Sequence, residues 1–142
     1  MPRVDFYIIS DLNNEALQMT ACRVIEKAWY ANHSVYVRAS SAEEAHQIDE
    51  LLWIFKEKSF IPHRCWQQSM QPNTNEVIIG LGEKPASNFS LLANIAKDIP
   101  AFYDQFERIV EFVGTSMQDR SAARERYRGY QKHGCDIQSH NV

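Results

Sequence analysis

Five glycines in 142 residues leave little material for phosphate chemistry, and they stand in the wrong places for it. The turn after the first hydrophobic run reads Ser10-Asp11-Leu12-Asn13-Asn14 and contains no glycine. A dinucleotide fingerprint needs glycines there so that the backbone can approach the pyrophosphate. The nearest approach to a Walker loop, Gly80-Leu81-Gly82-Glu83-Lys84, lacks the third glycine and the Ser/Thr after the lysine. Nucleophile patterns are equally thin. There is no GxSxG elbow, and Cys65 has only His63 and Arg64 beside it. Asp11 could end the first strand as a catalytic carboxylate, but a carboxylate there more often caps a turn. The chain is therefore expected to be non-catalytic.

Cysteine is scarce as well. Cys22, Cys65 and Cys135 make an odd count at wide spacing, with no CxxC pair, which argues against a disulfide framework and suits a reducing compartment. His133, Cys135 and His140 cluster near the end, but a fraying tail is a poor place to build a metal site. Neither metal nor cofactor is expected. No apolar run is long enough to span a bilayer, and MPRVDFYIIS is too short in apolar residues for a signal peptide. Those absences point to a cytoplasmic protein with no membrane partner.

What is present suits one α/β domain over residues 1–142, with the last few residues a flexible tail. At this length the chain can bury a real core without staples. Residues 4–10 (VDFYIIS) alternate as a strand. Asn13 or Asn14 can then cap a helix to about Ala31, with Leu17, Ala21, Val24, Ile25 and Ala28 on its inner face. Val35–Ala39 reads as a strand, and Ser41-Ala42-Glu43-Glu44 as a capping box. That box opens a helix with Ala45, Ile48 and Leu52 inward and Trp53 inward or at the rim. Further strands are expected at Glu76–Leu81, Ser90–Ala96 and Ile109–Val113, with a short helix after Pro100. Such alternation implies a three-layer α/β/α Rossmann-like sandwich around a mostly parallel five-stranded sheet.

Charge is unevenly spread. Residues 119–133 (DRSAARERYRGYQKH) hold five Lys/Arg against two carboxylates, a local +3 in a chain of net charge −3, so the remainder carries −6. On a helix, Arg120, Arg124, Tyr127, Arg128 and Gln131 share about a third of the circumference, and Arg126 points elsewhere. Guanidinium groups around a phenol suit an anionic partner, either phosphates or an acidic peptide with a terminal carboxylate. A solvated helix face laced with i,i+4 pairs is the plain alternative. A second aromatic cluster lies in Trp53–His63 (WIFKEKSFIPH), where Trp53, Phe55 and Phe60 crowd a charged, proline-ended loop. These rings are either partner anchors or core beneath the second helix.

The chain resembles the chi subunit family of bacterial DNA polymerase III. The resemblance is carried by FYIIS, by ASSAEEAHQIDELLW running into SFIPH, and by FERIVEFV leading into ARERYRGY. Cys65–Asn75 departs from the family pattern, so nothing is carried over there. The resemblance implies a non-catalytic accessory protein that pairs with a small psi subunit and reaches the clamp loader indirectly through it. It also implies binding to the acidic C-terminal tail of the single-stranded-DNA-binding protein, which ends in Pro-Phe. Mapped by residue, the tail site would comprise Val113, Arg120, Arg124, Tyr127 and Arg128. The psi-binding surface would comprise Trp53 and Phe60, with Pro62 and His63 shaping the loop. A helicase competing for the Trp53/Phe60 surface is left open. Arg120 and Arg128 stand where lysine is common, and Gly114 where a proline can occur, which implies a looser start to the last helix.

Two readings from other classes compete. One is direct nucleic-acid binding through the arginine helix, against which the −6 remainder works. The other is a degenerate nucleotide-dependent enzyme.

Overall fold

The computed structural model describes residues 2–13, 15–54, 61–65, 76–82 and 89–142. Among these residues, seven strands form one sheet in the order β3-β4-β2-β5-β6-β1-β7. They are β1 (Arg3–Ile8), β2 (Val35–Arg38), β3 (His63–Cys65), β4 (Val77–Gly80), β5 (Leu91–Asn94), β6 (Arg108–Val113) and β7 (Asp136–Asn141). Every pairing is parallel. Among the described residues, three helices, α1 (Ala16–Tyr30), α2 (Ala42–Ile54) and α3 (Met117–Lys132), cover the two faces.

The layers follow from strand alternation. Val35, Val37, Val77, Ile79, Leu91, Ala93, Val110 and Phe112 point to one face, where they meet Ala21, Ile25, Ile48 and Leu52 of α1 and α2. Val4, Phe6, Tyr36, Ile78, Leu92, Ile109 and Val113 point to the other, where they meet Ala123 and Tyr130 of α3. Because both faces are covered, the central strands read as unbroken apolar runs. VIIG of β4 and LLAN of β5 are wholly buried.

The expected α/β/α sandwich is present with seven strands rather than five. β3 has three residues, too few to show a period-two pattern. β7 runs through the stretch expected to be a flexible tail, and its sequence, DIQSHN, carries a single aliphatic side chain. The ladder to β1 holds it in register from Arg3↔Asp136 to Ile8↔Asn141. Its side chains are tied down by polar contacts. Arg3 Nη2 donates to Gln138 at 2.9 Å, and His140 Nε2 lies 2.9 Å from Asp5 Oδ1. The His140 ring also stacks on Tyr7 at 5.0 Å between centroids.

Helix starts differ in small ways from the expected ones. Asn13 Oδ1 accepts from Glu15 N and its carbonyl accepts from Ala16 N, so Asn13 closes a turn one step ahead of α1. At α2, Ser41 Oγ accepts from Glu44 N as a capping box requires, but Glu44 reaches back to Ser40 rather than Ser41. The helix expected after Pro100 is a 3-10 turn, Tyr103–Gln105.

Candidate functional site

The strand β6 runs into Gly114-Thr115-Ser116, and Ser116 caps α3 by accepting from Asp119 N at 3.0 Å. Asp119 is also paired with Lys97 at 3.1 Å. Burial would raise its carboxyl, but the hydrogen bonds from Lys97 and Ser116 and the Lys97 charge bring it below its ordinary value. Gly114 is buried here, and a Cβ on it would collide with the Asp119 carboxylate. The start of α3 is thus close-packed rather than loose, contrary to what a glycine at that position suggests.

Arg126 sets the rotation of α3. It is 3% exposed and donates from Nε to Glu111 Oε1 at 2.9 Å, with further bonds to the Lys97 and Phe112 carbonyls. The fully buried Glu111 also accepts from Tyr130 Oη at 2.6 Å and from Asn94 Nδ2 at 2.8 Å. Burial pushes the Glu111 carboxyl up, against the pull of Arg126 and these donors. With Arg126 locked inward, the next positions round the helix face β1 and the β7 edge.

There they help to form an open cavity of about 230 Å³ lined by Phe6, Ile8, Val113, Arg120, Ala123, Arg124, Tyr127 and Ser139. A cavity of roughly 150 Å³ is enough for benzene, so an aromatic side chain fits with room for neighbouring backbone. The floor is apolar, and the Phe6 ring lies 5.7 Å from the Tyr127 ring. Arg120 Nη2 donates to the Ile9 carbonyl at 2.9 Å, which fixes its guanidinium at the rim. Arg124 is solvent-exposed beside it.

Four of the five expected residues (Val113, Arg120, Arg124 and Tyr127) meet at this cavity. Arg128 does not line it. Its side chain is 72% exposed and sits 3.4 Å from Glu125. Phe6, Ile8, Ala123 and Ser139 were not anticipated. The alternation of β1 marks Phe6 and Ile8 as one face, but which helix covers that face depends on strand order. Ser139 belongs to the unforeseen β7.

At the other edge of the sheet, Trp53 in the last turn of α2 has 53% of its surface exposed, and Ile54, which ends the helix, is 73% exposed. The Trp53 ring lies 4.7 Å from the ring of His63. His63 is buried, with Nδ1 2.7 Å from the Ile61 carbonyl and Nε2 3.0 Å from the Asp49 carbonyl. Pro62, next to His63 in the chain, is half-buried. Trp53, Pro62 and His63 are thus brought together, with Trp53 at the rim. Phe55 and Phe60 lie outside the described residues.

The crevice where this fold class takes nucleotides lies at the carboxyl ends of β1 and β6. It is lined by Asp11, Asn13, Glu44, Lys97, Thr115, Ser116 and Asp119 among others. Three carboxylates face a lysine already paired with one of them, a poor setting for phosphates. Burial raises all three thiols, Cys22 to about 12 and Cys65 and Cys135 in the same direction, which opposes thiolate chemistry. The His133 ring lies tilted against Tyr103, 4.9 Å between centroids, while His140 is held at Asp5.

The family model for the DNA polymerase III chi subunit, HolC, matches residues 1–138. The chain belongs to the chi subunit family of DNA polymerase III. It is similar to DNA polymerase III subunit chi of Pseudomonas aeruginosa, at 34% identity over all of this chain and 98% of the relative. It is also similar to the chi subunits of Haemophilus influenzae (29% identity, 96% of this chain and 95% of the relative) and Escherichia coli (22%, 96% of each). Chi membership makes the chain an accessory subunit of the replicative polymerase and ties it to DNA replication. Among the described residues, no helix is long and apolar enough to cross a membrane.

Proposed function

We propose that this chi chain is a non-catalytic bridge. On this reading it captures the acidic C-terminal tail of single-stranded-DNA-binding protein at one edge and a psi subunit at the other. The observation that carries the reading is the cavity under α3. Its floor of Phe6, Ile8, Val113 and Ala123 suits a terminal Phe, and Arg120 and Arg124 at its rim suit a carboxylate and preceding acidic residues. Exposed guanidinium groups bring the tail in electrostatically, and burial of the ring then retains it.

The second surface, Trp53 with Pro62 and His63, is the side for psi, through which the chain would reach the clamp loader. It lies by β3, and the tail cavity lies by β7, the two ends of the sheet order. At roughly 4.8 Å per strand the edges are on the order of 30 Å apart, so both partners fit at once. A helicase would compete with psi for the Trp53 side rather than with the tail.

Calorimetric titration with a short acidic peptide ending in Asp-Ile-Pro-Phe, alongside its C-terminally amidated copy, tests the reading. Micromolar binding that the amide weakens supports carboxylate capture at the arginines. Silence from both peptides removes the tail from the function, and oligonucleotide binding becomes the reading to measure.

A further inference from the structure

The strand β7 ends the sheet order, and its outer edge bonds to none of the described residues. Which of its backbone groups face outward can be worked out. Val142 N donates to Ile8 O at 3.0 Å, and Ser10 N donates to Val142 O at 3.4 Å. In a parallel ladder, alternate residues bond to the same neighbour. His140, Gln138 and Asp136 therefore bond inward to β1, while Ile137, Ser139 and Asn141 present their N–H and C=O groups outward. The β1 side agrees with this phase, since Arg3 N and Ile9 N donate instead toward β6, to Glu107 O and Val113 O.

This edge carries little of the usual protection, its one acidic side chain being the exposed Asp136 at its start. Exposed edges are normally blunted by lysine, proline, a bulge or extreme shortness. DIQSHN contains neither lysine nor proline, pairs with β1 over all six residues without a bulge, and is twice as long as the opposite edge strand β3. It is also continuous with the tail cavity, because the side chain of Ser139 lines that cavity while its backbone faces outward. Arg124 stands on the same cavity rim as positive charge beside the edge.

From these positions we infer that the acidic partner segment entering the cavity adds to β7 as an extended strand. It would pair with the outward groups of Ile137, Ser139 and Asn141 while its terminal ring fills the pocket under α3. The inference rests on the tail-capture reading and supplies its geometry. Main-chain bonds add affinity that does not depend on the tail's side chains, and the terminal ring seated in the pocket sets the register. A penultimate proline has no N–H to donate, so pairing involves residues ahead of it.

The test uses the full chain and the same acidic peptide, with single backbone amides ahead of the proline N-methylated one at a time. A strand bonds its neighbour through every second residue, so alternate positions should lose about five- to tenfold in affinity while those between stay near the parent value. Amide exchange on the protein gives a second readout. Bound peptide should slow Ile137, Ser139 and Asn141 and leave Gln138 and His140 unchanged. A parent peptide that binds with no alternation, and with protection confined to α3, overturns strand addition and leaves tail capture standing. A parent peptide that does not bind overturns both.

Discussion

Arg126 and Glu111 face each other at 2.9 Å between α3 and the sheet, with 3% and 0% of their side chains exposed. The most basic helix of the chain thus spends one arginine on its own docking. The phase that this pair imposes is what brings Arg120, Arg124 and Tyr127 to the cavity.

Removing one partner should therefore cost more than removing charge from both. Arg126→Met leaves a carboxylate buried without its cation, a situation worth about 3–5 kcal/mol. Pairing it with Glu111→Gln removes the orphaned charge and keeps an acceptor for Asn94 and Tyr130, so the double variant should regain at least half of the loss. Urea unfolding of the two variants checks this. A double variant no more stable than the single would mean that the pair acts through packing rather than charge.

Asp5 governs the opposite face of the β1–β7 pairing. Its buried carboxylate meets Arg3 at 3.3 Å, Arg108 at 2.9 Å and His140 at 2.9 Å. Burial by itself would raise its carboxyl. The hydrogen bonds from His140 and Arg108, and the charges of Arg108 and Arg3, bring it below its ordinary value. A carboxyl that is more acidic in the folded state stabilises above the ordinary carboxylate range, near 4. That contribution disappears as pH falls through the folded value. Asp5→Asn should be less stable than wild type at pH 7 by about 1–2 kcal/mol, since its cations are partly solvated. The gap should narrow steadily below pH 4. Urea midpoints for both proteins across pH 7 to 3 measure it, and a gap independent of pH would refute the assignment.

The behaviour of Asp5 also marks where the sequence stopped being readable. Central strands such as Val77–Gly80 announce themselves because both faces are apolar. The β7 strand does not, because long-range pairs such as Arg3 with Gln138 and Asp5 with His140 hold it in place of apolar burial. The same limit applied to the site. Arg120, Arg124 and Tyr127 follow from helical spacing alone, whereas Phe6 and Ser139 join them only once β1 and β7 are known to be neighbours. Arg128 has the right phase and still misses the cavity, since one-third of a helix circumference is wider than the cavity it overlooks.

That difference between Arg124 and Arg128 should appear in binding. Arg124→Ala should weaken the acidic peptide by about 2 kcal/mol, roughly 30-fold, as a contact at the cavity itself. Arg128→Ala removes an exposed charge outside the cavity, and should cost well under 1 kcal/mol and fade with added salt. Calorimetry at low and at physiological salt separates the two. Equal losses at both positions would show that the tail reads net charge rather than the cavity.

At the β3 edge, Trp53 and His63 touch at 4.7 Å between ring centroids but differ in burial, 53% against 7% exposed. Trp53→Ala takes away a surface ring. It should alter stability by less than about 1 kcal/mol, while weakening psi at least tenfold if this ring is an anchor. His63→Ala leaves the Ile61 and Asp49 carbonyls without their buried ring contact. It should cost about 1–3 kcal/mol of stability, and any loss of psi binding would follow from that. Thermal unfolding and psi pull-down on both variants distinguish a recognition residue from a supporting one. A Trp53→Ala protein that unfolds easily would place that ring in the core's service, and one that binds psi at full strength would move the psi surface elsewhere.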